Sequence, residues 1–183
     1  MTTPSRAKDS ALTKQRILDA AIDEFASFGL AGGRIDRIAA AAKSNKAMIY
    51  RYFGSKDLLF DAVFDAIVVA TVDAVPLDVA NLPAYAAALF EQHRRNPKIL
   101  RIATWDRLER DGAGLRLASV VAATEAKLDA IRAAQRDGIV TTHYPPEMLL
   151  HIVIALSQPP LGAAIDDADS ELVAAAVKAV LDC

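Results

Sequence analysis

Apolar residues return at three- and four-residue intervals along most of the chain, the periodicity of helices that bury one face. Ile17, Leu18, Ala21, Ile22 and Phe25 set out a first helix over residues 13–28, with Thr13 placed to cap it and Gly29 to end it. Ile35, Ile38, Ala39 and Ala42 repeat the spacing in a much shorter helix, and after a break at Lys43-Ser44 the pair Ile49 and Phe53 marks a third. Leu59, Ala62, Val63, Ala66, Ile67 and Ala70 predict a long amphipathic helix, with Ser55 as its cap, Asp57 in its electropositive first turn and Pro76 beyond its end. Further helices are expected from Asn81-Leu82-Pro83 to about Arg95, from Asn96-Pro97 to Asp111-Gly112, over 115–137 up to Gly138, from Pro145-Pro146 through Leu156, and over 170–182. No short alternating Val/Ile/Thr run argues for a sheet. The reading is an all-α chain of about nine helices, three short ones around a small core followed by a helical bundle.

Composition narrows the chemistry. Cys183 is the sole cysteine, which excludes an intrachain disulfide framework and a cysteine-based zinc site. His93, His143 and His151 are scattered, without metal-ligand spacing, so no metal and no cofactor is expected. The polar start MTTPSRAKDS lacks the apolar run of a secretory signal, and Met148–Leu156, interrupted by His151, is far shorter than the roughly 20 residues that span a bilayer. A cytoplasmic protein with no membrane partner is expected. There is no G-x-S-x-G, P-loop or glycine-rich dinucleotide turn, so the chain reads as non-enzymatic. Two rivals remain at this level: a helical protein-interaction module, and a small enzyme needing His93 or His151 beside a carboxylate, which the sequence does not place together.

The formal net charge of −2 hides an asymmetry. Residues 1–56 hold ten Lys and Arg against five Asp and Glu, whereas 57–183 hold eleven against eighteen. Six of those ten cations fall between Arg34 and Lys56, opposed there only by Asp36, as in a nucleic-acid reader joined to a body that avoids phosphate. The same stretch holds two short helices with a three- to four-residue turn, the geometry of a helix-turn-helix whose second helix enters the major groove. Ile49 and Phe53 anchor that helix, and its opposite face presents Lys46, Ala47, Tyr50 and Arg51. Arg6 and Lys8 precede the first helix, where a frayed, solvated terminus is the simpler reading and a basic arm reaching into the minor groove the other.

These residues carry a resemblance to the TetR family of regulators. Ile17-Leu18-Asp19-Ala20-Ala21, Phe25, Gly29, Ile38-Ala39, Ala42, Ile49-Tyr50, Tyr52-Phe53, Ser55-Lys56-Asp57 and Leu59 follow the family's pattern without a gap. Gly33-Arg34 stands where the family has Thr-Thr, so a permissive glycine and a charged donor replace a hydroxyl cap, and Arg34 is expected to reach phosphate. Lys43-Ser44-Asn45 replaces Gly-Val-Ser, which puts Lys43 in a left-handed turn at a cost of roughly 1 kcal/mol and leaves Asn45 as cap. Carried over by position, the resemblance implies that Asn45, Tyr50, Tyr52 and Lys56 hold phosphates while Lys46, Ala47, Met48 and Arg51 face base edges. Ordinary packing of the two tyrosines and solvated charge at Lys46 and Arg51 is the bland alternative.

The expected division is a DNA-binding domain over 9–56 and an effector-binding and dimerisation domain over 57–183. In the latter, Tyr85, Phe90, His93, Thr104 and Trp105 are candidates for a ligand pocket, with plain packing the simpler reading of each. Met148–Leu156 is apolar enough to require burial all round. Leu149, Ile152, Val153 and Leu156, with Leu172, Val173, Ala176, Val177 and Val180 of the last helix, resemble the family's four-helix dimer interface. The function expected is a homodimeric repressor on double-stranded DNA, released from a palindromic operator by an unknown small molecule.

Overall fold

A computed structural model describes residues 4–160 and 169–182, with side chains from Asp9 onward; Arg6 and Lys8, as side chains, and Cys183 lie outside the described residues. Among the described residues the chain is all-α: α1 (Pro4–Gly32), α2 (Ile35–Ala41), α3 (Lys46–Phe53), α4 (Lys56–Ala74), α5 (Leu82–Arg95), α6 (Lys98–Arg110), α7 (Ala118–Arg136), α8 (Pro146–Leu156) and α9 (Asp169–Leu181). Short 3-10 turns at Val79–Asn81 and Ala113–Arg116 lead into α5 and α7. No helix among these residues is long and apolar enough to cross a membrane. The helices group into two compact units, one of Met1–Ile67 with Lys98–Leu117, the other of Val68–Pro97 with Ala118–Cys183. Helix α6 therefore packs with the N-terminal helices, which a linear division at residue 56 does not anticipate.

In the first unit Ile17, Ala21 and Phe25 of α1, Ile38 and Ala39 of α2, Ile49 and Phe53 of α3 and Leu59, Phe60 and Val63 of α4 are all buried. The Phe25 and Phe60 rings meet at 5.2 Å. Helix α1 begins at Pro4, well before the expected start, because proline suits a first turn. Thr13 is consequently inside it, its hydroxyl donating to the Asp9 carbonyl rather than capping. Gly29, at φ 69°, kinks α1 instead of ending it. A Cβ there would fall 2.8 Å from the Trp105 ring, so α6 lies against the kink where only glycine fits. The far end of α6 is tied by charge: Asp106 accepts the Gly114 N–H at 3.0 Å and pairs with Arg110, which also reaches Asp61 at 2.5 Å.

The second unit closes over Leu82, Tyr85, Ala86 and Leu89 of α5, Leu128 and Ile131 of α7, Leu149, Leu150 and Val153 of α8 and Val177 of α9. His93 Nδ1 bonds the Ser157 carbonyl at 2.9 Å, and Lys127 donates to the Tyr85 hydroxyl at 3.1 Å. All-round burial of α8 does not hold within a single chain: Met148 is half exposed, and His151, Ala155 and Leu156 also face outward.

Candidate nucleic-acid interface

The turn between α2 and α3 is built from residues that tolerate unusual backbone. Lys43 takes φ 50°, as expected for a residue where glycine is common, and the Ser44 N–H donates to the Ala39 carbonyl at 2.9 Å to close the turn. Asn45 Oδ1 then accepts the Met48 N–H at 2.9 Å, satisfying one of the unpaired donors at the start of α3. Ile49 is fully buried and Phe53 nearly so, which fixes the rotation of α3. Lys46, Ala47, Tyr50 and Arg51 consequently point away from the core, and Tyr50 keeps 47% of its surface exposed. Met48 is half-buried at the edge of that face.

Lys46 pairs with Asp36 at 2.6 Å, but both side chains are mostly exposed, and such a pair is weak enough to yield to a phosphate. Tyr52 differs from Tyr50: it lies half-buried and edge-on to Phe53, and its hydroxyl is 3.0 Å from Ser10 Oγ. Lys56 donates to the Ala31 carbonyl at 3.3 Å, which leaves two ammonium protons for another acceptor. The Arg34 side chain is exposed beside α2 while its backbone N–H donates to Glu24 at 2.7 Å.

Around Arg34 the structure adds residues that sequence reasoning missed. Glu24 also binds Arg37, at 2.5 Å, and Arg37 donates to the Gly32 carbonyl and covers the Phe28 ring. Burial penalises the Glu24 carboxylate, but the bonds from Arg37 and from the Arg34 N–H outweigh that cost and hold its pKa below the ordinary value. Glu24 and Arg37 belong to different helices, so no local spacing advertised the pair. Gly33 likewise has a role beyond permissiveness: a Cβ there would stand 2.7 Å from the Phe25 ring and 2.8 Å from the Gly29 carbonyl.

The remaining candidates fall in both units. Tyr85, Phe90 and His93 are buried on α5 in the second unit, whereas Thr104 is exposed and Trp105 half-buried on α6 in the first. Phe90 lines an open groove of about 350 Å³ with Leu156, Gln158, Leu172, Val173 and Ala176. Leu149, Val153 and Val177 are spent on the protomer's own core. Ile152, Val173 and Val180 are half-buried, and Leu156, Leu172 and Ala176 are exposed.

Comparison with known proteins agrees with this geometry. Residues 17–63 match the model of the bacterial regulatory proteins of the tetR family, and 81–181 match the tetracyclin repressor-like C-terminal domain. The HTH-type transcriptional repressor SCO4008 of Streptomyces coelicolor is 36% identical over 152 residues, 82% of this chain and 79% of that one. The HTH-type transcriptional repressor NicS of Pseudomonas putida is 36% identical over 113 residues, 58% of this chain and 53% of its own. The solved structure of SCO4942 from Streptomyces coelicolor superposes with a TM-score of 0.79 at 36% identity, covering 92% of this chain and 97% of that one.

Proposed function

The chain belongs to the TetR family and is a sequence-specific DNA-binding regulator; we propose that it is a repressor, acting as a two-fold homodimer on a palindromic operator and released by a small-molecule ligand. The observation that carries this reading is the outward face of α3, where Lys46, Tyr50 and Arg51 stand clear of a core sealed by Ile49 and Phe53. Phosphate contacts from Arg34, Asn45, Tyr50 and Lys56 orient the helix, and Lys46, Ala47, Met48 and Arg51 read base edges. Tyr52 contributes through packing and its bond to Ser10, and reaches phosphate only once that bond opens. Two relatives named as repressors support the direction of control.

Dimerisation draws support from α8 and α9, which leave Met148, Leu156 and Leu172 exposed on helices whose other faces are buried. Covering that apolar surface with a second copy removes it from water. The groove beside Phe90 shares Leu156 and Leu172 with that surface, so a small ligand seated there, with Gln158 and Asp169 as its polar groups, lies at the seam itself. Selection of bound sequences from random duplexes is the test. Enrichment of an inverted repeat, with half-sites about one helical turn apart, is the expected result. Recovery of a single, non-repeated site would remove the dimeric operator, and recovery of no preferred sequence would remove the reading altogether.

A further inference from the structure

The kink in α1 exposes two backbone donors, and a side chain distant in sequence takes both. Past Gly29, the Leu30 and Ala31 N–H groups donate to Glu109 Oε2 of α6 at 2.6 and 3.0 Å. The carbonyls of the same short turn point to cations: Ala31 accepts from Lys56 and Gly32 from Arg37. Residues 30–32 thus form a short turn with a carboxylate on its N–H groups and two basic side chains on its carbonyls. The bonded N–H and carbonyl groups belong to successive peptide units, so Glu109 acts on the cations by fixing the backbone that carries their acceptors. Trp105, one turn before Glu109 on α6, lies against Gly29 and keeps the carboxylate in line with the turn.

We propose that Glu109 is a positioning residue for DNA reading: it touches no nucleic acid, yet it orders the turn that aims Lys56 at the phosphate backbone. The inference rests on the proposed phosphate contact of Lys56. It assigns a DNA-reading role to α6, a helix outside the helix-turn-helix.

The test measures operator affinity against salt for the full-length chain and its Glu109→Ala and Glu109→Gln variants, using the duplex selected by the wild-type chain. Loss of one phosphate contact lowers the slope of log K against log salt by about 0.9 and affinity by roughly fivefold at physiological salt. Glu109→Ala should show both changes. Glu109→Gln, whose carbonyl oxygen can still accept the two N–H groups, should restore most of the slope, a rescue that general destabilisation would not produce. Glu109→Ala with unchanged slope, whether or not its melting temperature falls, overturns the proposal. Should Glu109→Ala fail to fold, amide exchange at Leu30 and Ala31 in the wild-type and Glu109→Gln chains decides. Both amides should be protected in each, and unprotected rates overturn the idea. Wild-type chain that selects no duplex removes the proposed function together with this inference, whereas a binding wild type with an indifferent Glu109→Ala removes the inference alone.

Discussion

Both units bury polar side chains, but of different kinds. In the first they are charged, Glu24 and Asp106; in the second they are His93 and Ser157. The surfaces diverge in the same sense: the first unit carries fifteen basic against eleven acidic residues, the second six against twelve. A reader that must hold donors in register against a polyanion gains from directional, charge-assisted bonds, which fix angles as well as distances. A body closed by Leu, Ile, Val and Ala relies on non-directional burial, which tolerates many arrangements of similar volume. The contrast teaches that the reader's geometry is held by few specific bonds and the body's by many interchangeable ones.

Asp106 is where that contrast breaks most easily. Its carboxylate is 1% exposed and serves the Gly114 N–H and Arg110 together. Asp106→Ala strips the Gly114 N–H of its acceptor in the interior and leaves Arg110 with Asp61 alone, and should lower unfolding free energy by about 2–3 kcal/mol in denaturant titration. Ser157→Ala in the second unit removes only the hydroxyl's 2.6 Å bond to the Val153 carbonyl, worth about 1 kcal/mol. Equal losses would erase the distinction between the units.

Gly33→Ala sharpens the same point sterically. The new methyl meets the Phe25 ring and a backbone carbonyl that cannot turn aside, so overpacking should cost about 1–3 kcal/mol by the same titration. A neutral result would mean that α2 can slide away from α1 without loss. Arg51→Ala tests the surface rather than the core. Its side chain is exposed, so stability should stay within about 0.5 kcal/mol while specific binding weakens by about 1–3 kcal/mol and preference at one base pair relaxes. Unchanged selectivity would take Arg51 out of the base-reading set.

What could be read from the chain before its fold follows the same line. The stripe Ile17, Ala21 and Phe25, the cap at Asn45 and the left-handed Lys43 are local, and each is set by neighbours within a turn or two. The start of α1 at Pro4 is itself a local signal, whereas the kink at Gly29 and the tight fit of Gly33 depend on partners that local patterns do not reveal. Glu109, for instance, is 78 residues from the Ala31 N–H it accepts. The pocket candidates stay undefined for a related reason. Tyr85, Phe90 and Trp105 are large and apolar, and burial alone accounts for such residues without saying what they surround. The dimer candidates mixed the two faces of each helix, since on α8 Leu149 and Val153 point inward while Leu156 does not.

Acid should separate the units most gently of all. Burial disfavours the His93 imidazolium, and although the Ser157 carbonyl partly compensates, its pKa lies below the ordinary 6.5. The folded second unit therefore binds fewer protons than the unfolded chain there. The stability this contributes is complete above pH 6.5 and is lost as pH falls from 6.5 toward the folded value. Glu24 is also lowered, but from 4.5, so its contribution to the first unit survives until pH drops below 4.5. Glu91, held down by Arg94, and Glu147, held down by its own backbone N–H and by Arg132, also act below 4.5 and do not overlap the histidine window. Between about pH 7 and pH 5 amide protection, corrected for the intrinsic slowing of exchange by acid, should thus fall in α5 and α8 while that of α1 to α3 holds steady. His93→Gln, which keeps a donor for Ser157 but does not titrate, should abolish the difference. A loss of protection shared equally by α3 would mean that the charged core of the reader opens as readily as the neutral core of the body, and the division drawn between them would not stand.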